Sequence, residues 1–178
     1  MKKLVFIIAL AIGQYVIAAE SMPYKGQQDR NIKALSSSEI EGLKKGRGMG
    51  LAKAAELNHY PGPLHVLQEA SRLSLSNEQL DKTKALYNSM KNEAITVGNK
   101  IIAAERTLDA LFANKKISDN KLRLKLNEIG ALRSELRFIH LKTHLEQKKL
   151  LSDAQIKHYD KLRGYGGKHD HHNHHGHH

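Results

Sequence analysis

Between Leu80 and Leu111 apolar residues return every three or four positions, with no proline to interrupt them. With Leu80 as heptad position a, the a sites are Leu80, Tyr87, Ala94, Ile101 and Leu108, and the d sites are Thr83, Met90, Val97, Ala104 and Leu111. Thr83 alone among them is polar. A pattern sustained this long predicts one helix of about 35 residues, roughly 50 Å from end to end. No small globule encloses such a rod, so it must pair along its length. The chain supplies a partner: Phe112 to Lys116 read as a turn, Ser118 as a helix cap flanked by the apolar pair Ile117 and Leu122, and a second helix continues to about Leu150. Its seam reads Leu122, Leu126, Ile129, Leu132, Leu136, Ile139 and Thr143. The expected fold is all-α, a long antiparallel helical hairpin with short flanking helices. A second stripe, Phe138, Leu141 and Leu145, needs a further helix, a second subunit or a client to cover it, and a homodimer is expected.

Two phrases bracket the hairpin. Leu75-Ser76-Asn77-Glu78-Gln79 and Leu151-Ser152-Asp153-Ala154-Gln155 each carry the Ser-x-x-Gln of a capping box. The serine hydroxyl accepts from the backbone N–H three residues on, and the glutamine reaches back to the N–H of the cap. Leu75 with Leu80, and Leu151 with Ile156, form the apolar staple across each cap. Ser38-Glu39-Ile40-Glu41 reads as another box opening a first helix, Leu51 to Leu57 as a helical stretch, and Pro63 as the start of a short helix to about Leu73 with Leu64, Leu67 and Ser71 on one side. The glycines at 46, 48 and 50 read as a flexible hinge. The last helix runs from Asp153 to about Arg163, packing through Ile156, Tyr159 and Leu162.

Lys2 and Lys3, the apolar run Leu4 to Ile12 and the small residues before Glu20 have the layout of a secretory signal peptide over residues 1–19. If retained, the same segment would be an inner-membrane anchor. Residues 20–37 read as a flexible leader, 38–165 as the helical domain and 166–178 as a histidine-rich tail.

The doubled Leu-Ser-x-x-Gln phrase, with Gly-Arg-Gly-Met-Gly-Leu-Ala at 46–52 and Tyr-Pro-Gly-Pro-Leu-His at 60–65, resembles the periplasmic LTxxQ proteins, the Spy/CpxP-like family with the metal-responsive relatives ZraP and CnrX. The resemblance spans about Gly46 to Tyr165, with serine in place of threonine at the caps. It implies a periplasmic dimer that holds unfolded proteins and binds divalent transition metals. The alternative it implies is a heavy-metal sensor that restrains a membrane sensor kinase or an anti-sigma factor; a third reading, from the histidine-rich tail, is simple metal sequestration.

The formal charge is +11, of which Lys2 and Lys3 contribute two, leaving +9 on the exported chain. Such an excess attracts acidic polypeptide or anionic lipid, and export disfavours nucleic acid as a partner. With no cysteine, neither disulfides nor thiolate metal sites are available, so stability rests on helix packing. No nucleophile elbow, Walker loop or His-Glu-x-x-His is present, and no enzymatic activity is expected.

The candidate ligands are imidazoles. His140 and His144 stand one helical turn apart, a spacing at which two rings share one ion or simply flank the Ile139/Thr143 seam. A third ligand remains open among Glu146, Glu135, His65 and His59. The tail adds His169, His171, His172, His174, His175, His177 and His178, a set suited to Zn, Ni, Cu or Co and loose enough to be unselective. Its other reading is an expression tag. Arg133, Arg137, Phe138, Leu141 and Leu145 form the candidate client-binding surface, whose charges alternatively make an ordinary solvated face.

Overall fold

The computed structural model describes residues 22–165. The expected signal peptide and the histidine-rich tail lie outside them. Six helices follow in order: α1 Ser37–Lys44, α2 Lys53–Glu56, α3 Pro63–Gln68, α4 Asn77–Ala113, α5 Asp119–Leu150 and α6 Asp153–Leu162. The fold is all-α, and no helix among the described residues is long and apolar enough to cross a membrane.

The hairpin of α4 and α5 forms as the periodicity dictates. Thr83, Met90, Ala94, Val97, Ile101 and Ala104 are buried on α4, and Ile129, Leu136, Ile139 and Thr143 on α5. A fully buried Ile101 alone contributes about 1.5–3 kcal/mol. The antiparallel register is marked by polar pairs across the seam: Gln147 Nε2 donates to Thr83 Oγ1 near the base, and Arg133 Nη2 reaches Glu105 Oε1 at 2.6 Å nearer the tip. Leu126 departs from the expected seam and is half exposed. It shares a flank of α5 with His140, two heptads on. At the base the segment 46–65 covers that flank, whereas at the tip no described residue does.

The N-terminal elements correct three sequence expectations. The stretch 20–37 is not simply a flexible leader, because Ile32 and Leu35 are almost fully buried in the hairpin core. The cap of α1 is Ser36, not Ser38: Ser36 Oγ accepts from Glu39 N–H, and Glu39 Oε2 accepts from Ser36 N–H at 2.8 Å. Both serines have a glutamate three residues on. Only the earlier start places apolar residues, Leu35 and Ile40, at the two staple positions. Residues 46–50 press onto α4 rather than hinge freely, for Gly46 has φ +61 and a Cβ there would lie 2.8 Å from the carbonyl oxygen of Lys91. Gly98 does the same from the α4 side, since its Cβ would meet the backbone of Leu43.

The helices between are shorter than read. α2 covers four residues of the expected 51–57, and α3 stops at Gln68 rather than Leu73. Val66, not Leu64 or Leu67, is its fully buried side chain, because the chain turns back through Ser74 and brings Leu73 and Leu75 against Tyr159 of α6.

The two Leu-Ser-x-x-Gln phrases meet. Both capping boxes form as expected, and their glutamine amides also pair with each other: Gln79 Nε2 donates to Gln155 Oε1 at 2.9 Å and Gln155 Nε2 donates to Gln79 Oε1 at 3.1 Å. Each oxygen accepts in addition from its own cap N–H, and each amide nitrogen donates to a carbonyl beside the other phrase, Leu150 O for Gln79 and Leu73 O for Gln155. Two donors and two acceptor lone pairs on each side chain are thus all used. A glutamate would serve its own cap but has no hydrogen to give, so the clasp requires glutamine. Gln155→Glu should keep the α6 cap yet lose about 1–3 kcal/mol in denaturant unfolding at neutral pH, since a carboxylate would face Gln79 Oε1 and Leu73 O. Gln79→Ala and Gln155→Ala should be clearly non-additive in the double variant.

Candidate metal centre

His140 and His144 project from the base of α5 into a cavity of about 370 Å³, walled by the turn 46–50, the Tyr60-Pro61-Gly62-Pro63 corner and α4. The corner explains why these short segments exist. Pro61 and Pro63 hold the chain extended between α2 and α3, and Gly62 lets it pass so close to His144 that a Cβ would lie 2.7 Å from the imidazole. Both histidines are buried.

The two rings have different surroundings. His144 Nδ1 lies 2.7 Å from Tyr60 O; a carbonyl only accepts, so Nδ1 carries a proton and Nε2 is the nitrogen left to face a ligand. This is the arrangement that orients an imidazole as a metal ligand. His140 Nε2 is buried with no hydrogen-bond partner. Burial, reinforced by neighbouring His144, holds the pKa of His140 below its ordinary value, which keeps the ring neutral.

Glu56, at the end of α2, supplies the carboxylate. Its Oε2 accepts from Gly62 N–H at 3.2 Å and stands 3.7 Å from His144 Nδ1, and its Oε1 lies 3.4 Å from His65 Nδ1. Tyr159 and Tyr165 donate their hydroxyls to the same Oε1. Burial by itself pushes this carboxyl upward, but hydrogen bonds from His65 and Tyr159 and the charge of His65 and His144 outweigh it and hold the carboxyl below its usual value. Burial, then the bond to Glu56 and its charge, push the Tyr159 phenol far above its ordinary range.

Of the four sequence candidates for a third ligand, His65 alone lines the cavity. His59 turns away to Asp160 at 2.8 Å, Glu146 pairs with Lys149, and Glu135 lines a different groove beside Phe138. Glu56 escaped the sequence reading because it sits among good helix formers in a stretch read only for its apolar residues. Its one sequence signal is an acid just ahead of the rigid proline corner. Among the described residues no three His, Asp or Glu side chains converge tightly enough to hold an ion as they stand. The donor chemistry fits a divalent transition metal: two buried imidazoles, a third nearby and one carboxylate. Closure on an ion needs side-chain rotation within the cavity. The tail histidines 169–178 lie outside the described residues.

The candidate client surface divides. Phe138 and Leu145 are half exposed and Leu141 is partly covered, as the second stripe requires. Lys142 Nζ stands 5.9 Å from the centroid of the Phe138 ring. Arg137 is exposed, whereas Arg133 is engaged by buried Glu105 and so belongs to the hairpin as an interhelical ion pair.

Comparison with the descriptions of known protein families, with curated proteins and with solved structures found no match. The reading of the site rests on its residues.

Acid should weaken the fold in two steps. His140 binds a proton more readily in the unfolded chain, so its contribution is complete above an ordinary histidine pKa of about 6.5 and declines as pH falls below it. Glu56 binds a proton less readily in the fold, so its contribution is complete above an ordinary glutamate pKa of about 4.3 and is lost as pH falls through the lower folded value. Urea unfolding between pH 8 and pH 4 should show the first decline starting near 6.5, and His140→Gln should flatten that upper part alone.

Proposed function

We propose that this protein is an exported, metal-responsive stress protein of the LTxxQ type, which takes one divalent transition ion such as Zn, Ni, Cu or Co into the cavity at the base of the hairpin. The observation that carries this reading is the pair of buried imidazoles, one of them with an unpartnered nitrogen, facing the one carboxylate that lines the cavity among the described residues. A buried polar nitrogen without a partner costs about 1–3 kcal/mol, and an ion would offset that cost. His140 Nε2, His144 Nε2 and Glu56 would hold the ion, with His65 beside them. The bound ion would supply a fixed positive charge, and no catalytic step is assigned to it.

Isothermal calorimetry of the mature chain with ZnCl2 tests this. His140→Gln should remove the tightest event or weaken it at least about tenfold, while truncation after Gly167 should leave that event in place. If only truncation abolishes binding, the tail is the metal site and the cavity is not.

A second activity, holding unfolded polypeptide, is supported by the outer face of α5. Leu124, Ala131, Phe138 and Leu145 recur there at seven-residue intervals on the face opposite the seam, with Leu124, Phe138 and Leu145 each at least 50% exposed. The stripe is about 32 Å long at the helical rise and is flanked by Arg137 and Lys142. Such a face fits an amphipathic segment of a client or of a second subunit, and lysines and arginines would speed encounter with acidic chains. Phe138→Ser with Leu145→Ser should reduce suppression of a client's aggregation, measured by light scattering, several-fold at unchanged helicity. Equal suppression by this variant would remove the stripe from the mechanism.

A further inference from the structure

The Glu56 carboxylate faces two ways. Its Oε2 belongs to the cavity, bonded by Gly62 N–H beside His144. Its Oε1, which also faces His65, belongs to the C-terminal end of the described chain: it accepts from Tyr159 OH and, at 3.3 Å, from Tyr165 OH, and it lies 3.7 Å from Arg163 Nε. Tyr159 is fully buried within α6 and is held by apolar packing in any case. Arg163 and Tyr165 follow α6 and are only partly covered. Tyr165 touches the small apolar cluster and its N–H returns to Asp160 O, while Arg163 Nε has no hydrogen-bond acceptor and faces Glu56 across an ion-pair distance.

We propose that the ion site and the turn Arg163–Tyr165 compete for Glu56, so that capture of a divalent ion in the cavity releases this turn, from which the histidine-rich tail continues. The proposal rests on the ion-binding reading above and names how that site is regulated. An ion held by the cavity-facing oxygen draws negative charge away from Oε1 and makes it a poorer acceptor for the Tyr165 hydroxyl. Its two positive charges also repel the guanidinium of Arg163, whose one ion partner among the described residues is Glu56. Because the coupling is a free energy shared by both sites, it runs in reverse as well: loosening the turn tightens the ion. The apolar face of α6 and the separate His59–Asp160 pair keep the rest of the helix in place, so release is confined to the end of the chain.

Hydrogen–deuterium exchange on the mature full-length chain, with and without stoichiometric ZnCl2, reads the turn directly. Zinc should speed exchange of the Arg163, Gly164 and Tyr165 amides several-fold and leave the α4 amides unchanged. Tyr165→Phe should bind zinc several-fold tighter by calorimetry, because a competitor for Glu56 is gone. In His140→Gln, a near-isosteric change that retains the tail and whose folding circular dichroism verifies, zinc should no longer speed exchange. Zinc binding that His140→Gln weakens, with exchange of the turn unchanged or slowed, overturns the coupling and leaves the metal site standing. Acceleration of equal size in His140→Gln also overturns it, since the tail ions would then be the cause. Zinc heat that is identical in the two proteins overturns the cavity site and the coupling together.

Discussion

A pair of side-chain amides closes this molecule. Gln79 at the start of α4 and Gln155 at the start of α6 exchange two hydrogen bonds, and each takes a further one from a cap and gives one to the main chain across the join. The two ends of a hairpin more than 50 Å long are thereby locked to the segments that enter and leave it. Without that join α6 would be held by a small apolar cluster, the His59–Asp160 pair and the Tyr159 bond to Glu56.

The join also explains where the chemistry sits. The N-terminal stretch packs Ile32 and Leu35 against the middle of the rod, whereas the base is covered by the short, glycine- and proline-rich stretch 46–65, which fits imperfectly. A cavity remains, lined by His140 and His144 on one side and by Glu56 and His65 on the other. The same flank of α5 nearer the tip carries Leu126 and Arg133, both about half exposed. Position along the rod, more than residue type, separates a buried candidate ligand from an exposed side chain on one helix.

Much of this architecture was legible in the chain. The heptads of α4 placed six of its nine buried residues, missing Gly98, Ile102 and Glu105, and the capping phrases marked the starts of α4, α5 and α6 to the residue. Legibility failed where structure is set by contacts distant in sequence. Two serines offered equivalent boxes for α1, and burial of Leu35 decided between them. The polar leader reads as loose, yet two apolar residues in it find the hairpin core. Arg133 looks like its exposed neighbours until Glu105, 28 positions away, engages it. Glu56 carries only the weak local mark of an acid ahead of the proline corner, because its partners come from α3, α5 and α6.

Periodicity and caps are local properties: they depend on which side chains share a helix face and which hydroxyl reaches which N–H three residues on, so the amino-acid sequence by itself determined an all-helical hairpin with defined helix starts. The pairing of the two glutamines, the choice of His65 over His59, Glu135 and Glu146 to face the histidines, and the double use of Glu56 were decided by tertiary structure alone. Each depends on the distance between groups tens of residues apart, which no spacing along the chain encodes.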